Sequence, residues 1–220
     1  MSNISLPKHA GLVEKCWHYA FVLICSVVFL FLIAPILVII PLSFNAEPYF
    51  TFNESMLAFD SNAYSTRWYE DFWSTEIWRQ SIVNSFIIAF WSTLLAVTLG
   101  TLAALGLSRS EMPCKGLVMG LLISPMIVPL VITAAGIFFF YASVGDFIPL
   151  TGTYLGVIIA HTVLGTPFVV ITVTATLSGF DNSLTRAGAM CGADPTRVFF
   201  KVVLPLILPG VISGALFAFV

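Results

Sequence analysis

Asp181-Asn-Ser-Leu-Thr-Arg-Ala-Gly-Ala-Met-Cys-Gly-Ala-Asp-Pro-Thr-Arg-Val-Phe-Phe-Lys-Val-Val-Leu-Pro205 is the one long polar stretch in the C-terminal half of the chain, with apolar runs of membrane length on both sides. A segment this polar cannot lie in hydrocarbon, so it belongs at a membrane surface. Its punctuation predicts two short helices. Asp181 or Ser183 caps the first, which runs through Ala187 and Met190 to Gly192, a helix-ending glycine. Asp194 followed by Pro195 starts the second, with an acceptor at the cap and proline at the first helical position. Ala187, Gly188, Ala189, Gly192 and Ala193 leave one surface thin enough for another protein's backbone to approach. Phe199 and Phe200 are expected to bury toward the membrane, while Arg197 and Lys201 are placed to pair with acidic groups or lipid phosphates. A loop that only reconnects two spans is the simpler alternative. It would need neither two capped helices nor a bare small-residue face, so docking is the preferred reading.

Working outward, 59% of the 220 residues are hydrophobic and only 9% charged, against roughly 25% charged in soluble domains. That excludes an ordinary soluble fold and points to an all-α polytopic bundle. A bilayer core of about 30 Å needs about 20 apolar residues in helix. The runs that qualify are 19–41, 82–107, 117–141, 153–177 and a fifth from Leu204 to Val220, none containing Asp, Glu, Lys or Arg. They are too long and continuous for the alternating ten-residue strands of a barrel. The first run exceeds a secretory signal's apolar core and is read as a retained span after an N-terminal tail over 1–18. Cys16, Cys25, Cys114 and Cys191 show no paired spacing, so neither a disulfide framework nor a metal site is expected.

Basic residues orient the spans. Lys8, Lys15, Arg109, Lys115, Arg186, Arg197 and Lys201 fall on one side, seven of the nine in the chain. Glu47, Glu54, Asp60, Glu70, Asp71, Glu76 and Asp146 fall on the other. The N-terminus and the segment 181–203 are therefore expected in the cytoplasm, and 42–80 outside. The outer segment holds Tyr64-Ser-Thr-Arg-Trp-Tyr-Glu-Asp-Phe-Trp73 and Trp78. An interfacial aromatic belt is the plainer reading of it, a contact surface for an external partner the sharper one.

Within the spans, Ala96, Gly100 and Ala104 recur every fourth residue, the spacing of close helix packing. Pro125 and Pro129 in the third span, and Gly165 and Pro167 in the fourth, predict kinks, tolerable only against protein or a water-filled path. His161 is the only histidine in a span, and hence a candidate on a substrate path together with Pro125 and Pro167. A neutral imidazole bonded to a neighbouring carbonyl is the simpler account of it. The lack of acidic groups within the spans argues against proton or sodium coupling.

At the opening segment the chain resembles the permease subunits of ABC importers, the binding-protein-dependent inner-membrane components. Their cytoplasmic loop reads Glu-Ala-Ala, three residues, Gly, nine residues, an aliphatic residue, one residue, then Leu-Pro. Here Arg186, Ala187 and Gly188 stand at the first three positions; Gly192 is the glycine, Val202 the aliphatic residue, and Leu204 and Pro205 close the pattern. Arg186 replaces an acidic residue and Gly188 an alanine; the charge reversal implies either a compensated partner or weakened coupling. Ser124-Pro-Met-Ile-Val-Pro129, Thr166-Pro-Phe-Val-Val-Ile-Thr172, Gly179-Phe-Asp181 and the stretch from Phe59 to Phe72 resemble the spermidine/putrescine branch.

The resemblance implies a type I importer permease fold, with Arg186, Ala187, Gly188, Gly192, Ala193, Leu204 and Pro205 docking a cytoplasmic ATP-binding subunit. It further implies a second, homologous permease subunit, an external solute-binding protein, surrounding lipid, and a bacterial inner-membrane location. The cargo would be a small polyamine-like or amino-acid-derived solute. No nucleic acid and no cofactor are implied. The chain has no GxxxxGK[ST] phosphate loop, so ATP hydrolysis is expected of a partner and not of this chain.

Family members end with a sixth span. From Leu204 the last run offers 17 residues, roughly 25 Å of helix at about 1.5 Å per residue. The expectation is therefore a C-terminally truncated permease with five spans present and a sixth missing. A non-transporting permease remnant and a fragment of a secondary transporter are the other classes kept open.

Overall fold

The computed structural model describes residues 11–109 and 111–220. Of the tail read over 1–18, residues 1–10, Lys8 included, lie outside the described residues. Two compact units are present, one up to Arg79 and one from Gln80 to Val220.

The first unit opens with α1 (Leu12–Leu42), which begins seven residues before the apolar run read from Tyr19. Pro35 and Pro41 lie within it, and no residue along it is buried inside the protein. The segment that follows carries α2 (Glu54–Leu57), a 3-10 turn (Ser61–Ala63) and α3 (Arg67–Ser74). It is more than a belt of aromatics, because one buried asparagine organises it. Asn45 donates through Nδ2 to the carbonyls of Tyr49 (2.9 Å) and Thr51 (3.0 Å), and its Oδ1 accepts the Glu47 N–H at 2.9 Å. Trp68 Nε1 donates to the Asn45 carbonyl at 2.8 Å. The backbone ties Ser65 to Phe44 (2.7 Å) and Ala46 to Ala63 (2.9 Å). An irregular loop must satisfy its backbone groups without a helix or sheet ladder, and Asn45 supplies three of those bonds from one side chain.

The division between the units falls within α4 (Glu76–Ser108). The second unit continues with α5 (Lys115–Ile127), α6 (Leu130–Val144), α7 (Tyr154–Ser178), α8 (Ser183–Met190), α9 (Pro195–Val198), a π-helical segment (Phe199–Val203) and α10 (Leu204–Phe219). Among the described residues, four helical stretches are long and apolar enough to cross a membrane: Leu12–Leu42, Glu76–Ser108, Tyr154–Ser178 and Pro195–Phe219. A bent pair, α5 with α6, makes a fifth if it counts as one span.

That pair corrects the reading of 117–141 as one kinked span: α5 and α6 meet at 103°. The two prolines behave differently for a local reason. Val128 is extended (φ −72°, ψ 134°), as expected of a residue whose α conformation is blocked by the following Pro129, and the helix stops there. Pro125 sits inside α5, where its missing N–H frees the carbonyl of Leu121. The hydroxyl of Ser124 donates to that carbonyl at 2.8 Å, so the helix carries on.

The core is where α4, α7 and α10 meet, and small residues set it. Ala96 and Ala104 are fully buried with Val169, Val173 and Ile207, and a Cβ on Gly100 would lie 2.7 Å from Val169 Cβ. The every-fourth-residue stripe on α4 is thus packing, as its spacing predicted. From α10, a Cβ on Gly214 would come within 2.6 Å of Thr172 Oγ1 and 2.8 Å of Val169 Cα. Hydroxyls on these faces bond back within their own helices, Ser92 to Ile88 O and Thr162 to Ile158 O, both at 2.7 Å. These two hydroxyls bring polarity to the interface with their donors matched, whereas the buried hydroxyls of Thr101 on α4 and Thr174 on α7 find no partner among the described residues.

Candidate functional site

Asp181 opens α8. Its Oδ2 accepts the Ser183 hydroxyl at 2.6 Å and its Oδ1 the Ser183 N–H at 2.8 Å. These two bonds, with a smaller attraction from Arg186, hold the Asp181 carboxyl below the usual aspartate range. The far end of α8 closes in a Schellman arrangement: Ala193 N–H bonds to Gly188 O (3.2 Å) and Gly192 N–H to Ala189 O (2.9 Å). Gly192 stands at φ +80° with open space where a Cβ would point, so backbone conformation, not crowding, demands glycine. Asp194 then caps α9 by accepting the Arg197 N–H at 2.7 Å, with Pro195 in the first turn.

Two expectations for this segment are corrected. First, α9 is not a free-standing helix. It runs through the π-helical residues Phe199–Val203 into α10 without a break, and Leu204 N–H reaches back five residues to Phe199 O. Pro205 explains the widening: it offers no N–H, and its ring would press on the carbonyl of Lys201 in a regular α turn. Second, the small-residue surface is not wholly free, because half-buried Gly188 is turned toward its own chain. A Cβ there would lie 3.2 Å from Val198 Cγ2, and Val198 is itself buried. The small residue lets α8 close onto α9 and holds the two as one hairpin.

What remains outward is Arg186, Ala187, Ala189, Gly192 and a Met190 that is 90% exposed, with Ala193 half-buried beside them. A groove of about 330 Å³ runs between Thr185, Ala189, Ala193 and Pro195 on one hand and Val198, Phe199 and Val203 on the other. Leu204 is half-buried and Pro205 exposed. Phe200 is exposed while Phe199 is half-buried, the two rings meeting edge to face at 5.1 Å.

The residues read as a substrate path differ in exposure. Pro167 is buried on the packed face of α7, His161 lies on the exposed surface of that helix, and Pro125 is half-buried in α5. None of the three lines the groove just described.

A second concavity, missed in the sequence, lies in the first unit. It is a cavity of about 720 Å³ with Tyr49, Trp68, Trp73 and Trp78 among its walls and Glu47 and Asp71 at it. The clustering of aromatics in 64–78 was the available signal. That Tyr49 and Glu47 join them depends on the Asn45 turn.

Comparison with known proteins follows the same lines. Residues 96–220, more than half of the chain, match the family described as binding-protein-dependent transport system inner membrane component. The chain is 30% identical over 193 residues to the spermidine/putrescine transport system permease protein PotC of Haemophilus influenzae, covering 88% of this chain and 70% of that one. It is also 30% identical to the putrescine transport system permease protein PotI of Escherichia coli K12, over 87% of this chain and 66% of the other. Among solved structures, a bacterial ABC transporter involved in the import of the acidic polysaccharide alginate superposes with a TM-score of 0.68 at 14% identity. That alignment covers 96% of this chain and 72% of the other, and supports the fold. The chain belongs to the binding-protein-dependent transport system inner membrane components and is a multi-pass inner-membrane protein, a permease subunit of an ABC importer.

Proposed function

We propose that this permease moves a small polyamine-like solute and takes its driving force through the hairpin 181–203, which docks a separate cytoplasmic ATP-binding subunit. On this reading the N-terminus and the hairpin are cytoplasmic, a second permease subunit completes the pathway, and an external solute-binding protein delivers the cargo. The basic residues on the 181–203 side and the acidic ones in 43–79 support that orientation. The permeases it resembles, named for spermidine and putrescine, support the cargo class.

The observation that carries the coupling role is mechanical. The α8–α9 hairpin is locked internally by Gly188 against Val198, and α9 continues through the π segment into α10. α10 in turn packs on α7 so closely that Gly214 has no room for a side chain. Force applied at the exposed face of α8 therefore passes to a spanning helix without a flexible joint. Arg186 sits on that exposed face, so the partner surface opposite it is expected to be acidic.

The test uses Gly192, where only the backbone constrains the residue. Co-expressed with the ATP-binding subunit of a spermidine/putrescine importer, Gly192→Trp is expected to abolish co-purification while membrane insertion is retained. Gly192→Asn, which tolerates the left-handed backbone, is expected to preserve it. Co-purification of the Trp variant at the parent level would remove the docking role.

A further inference from the structure

We infer that the aromatic cavity of the first unit is a binding site for a small organic cation carrying primary or quaternary ammonium groups. Three observations converge on it. The cavity holds about 720 Å³, room for a small organic solute, and its walls include Tyr49, Trp68, Trp73 and Trp78. Aromatic faces around a cavity attract cations through the ring quadrupole, and ammonium groups in particular. Two carboxylates, Glu47 and Asp71, stand at the same cavity, so its electrostatics select against anions and give an amine a charged partner as well as a π face.

The charge balance of the surrounding segment runs the same way. Residues 43–79 contain six acidic side chains (Glu47, Glu54, Asp60, Glu70, Asp71, Glu76) and two basic ones (Arg67, Arg79). Both arginines are already engaged. Arg79 pairs with Glu76, and Arg67 lies over the Trp68 ring with its guanidinium carbon 4.2 Å from the ring centroid. Arg67 thus shows one ring of this group already holding a cation. Neither Glu47 nor Asp71 forms an ion pair among the described residues, and the Asp71 carboxylate accepts the Thr75 hydroxyl at 2.9 Å.

A plain interfacial belt would explain the tryptophans, but not two carboxylates lining the same cavity. The framework is also held in shape beforehand. Trp68 is fixed by its bond to the Asn45 carbonyl and Tyr69 by a 2.7 Å bond to Ser43, so an incoming ammonium meets a prepared site. The solute class coincides with that proposed for transport, but the site stands on this unit alone.

Three of the five tryptophans in the chain line the cavity, which makes intrinsic fluorescence a direct reporter once Trp17→Phe and Trp91→Phe remove the other two. The full chain is purified in an uncharged maltoside micelle, which offers neither ammonium nor phosphate, and titrated with putrescine and with neutral 1,4-butanediol. A saturable response to the diamine and none to the diol is expected. Glu47→Gln and Asp71→Asn are each expected to weaken it about three- to tenfold with helix content unchanged. An equal response to the diol, or unchanged affinity in both variants, would overturn the inference. So would displacement of the diamine by stoichiometric phosphatidylethanolamine, which would identify a lipid headgroup as the occupant. Loss of co-purification with an ATP-binding subunit leaves this result untouched, and failure of diamine binding leaves the coupling hairpin untouched.

Discussion

In the segment after α1 the most buried polar group, Asn45, is also the one that makes the structure, whereas in the α4–α7–α10 bundle the closest approaches are made by residues with almost no side chain. The difference follows from the solvent each is built for. Between helices in lipid, apolar contact alone gains little, because hydrocarbon tails are as good a neighbour as leucine. What remains is close packing, and Gly100 and Gly214 allow it by removing the Cβ that would otherwise collide with Val169. A segment outside hydrocarbon has water competing for every backbone group. It is ordered by a side chain that satisfies several of those groups at once, and Asn45 does so with three bonds.

The comparison breaks first at Gly214. Gly214→Leu places carbon where Val169 Cα lies 2.8 Å away, backbone that cannot swing aside, and is expected to destabilise the bundle by about 3 kcal/mol, the upper end of the overpacking range. Gly106, with nothing within 4 Å of an added Cβ, is the control: Gly106→Ala should be neutral or slightly stabilising. Thermal melts of helix ellipticity in micelles read both. If the two variants melt alike, close packing is not what holds the bundle.

Asn45→Ala tests the other side. It strands the carbonyls of Tyr49 and Thr51 and the Glu47 N–H, at an expected cost of about 2–3 kcal/mol confined to the segment. Limited proteolysis should cut between residues 46 and 66 while the bundle melt stays where it was. Cleavage at the parent rate would mean the aromatics, and not the asparagine, hold the segment.

The smallest effect concerns Asp181. Its folded-state pKa lies below the model-compound value of 3.8, so its contribution to α8 is fully present above that value and is lost as the pH falls through the lowered one. Amide exchange in the first turn of α8 is expected to accelerate only under that acid condition. Asp181→Asn, which cannot titrate, should show the same exchange protection at neutral and acid pH. A parent profile that is flat down to pH 2 would remove the cap from the account.

The long uninterrupted apolar runs, the positive φ demanded at Gly192, the Asp194–Pro195 start and the four-residue stripe of α4 were all legible in the amino-acid order. Each depends on one turn of backbone or on the period of one helix. The tertiary structure alone decided which neighbours those features meet. Pro125 is tolerated because a hydroxyl happens to reach the carbonyl it frees, while Pro129, in the same run, ends a helix and turns the chain by 103°. Gly188 looked like part of an open face and is closed by Val198, ten residues on. The aromatic cavity needs Glu47 and Tyr49 to meet Trp68, Trp73 and Trp78. The physical reason is one of range: caps and dihedral preferences act within a few residues, whereas which faces touch is settled only when segments distant in the chain compete for the same space.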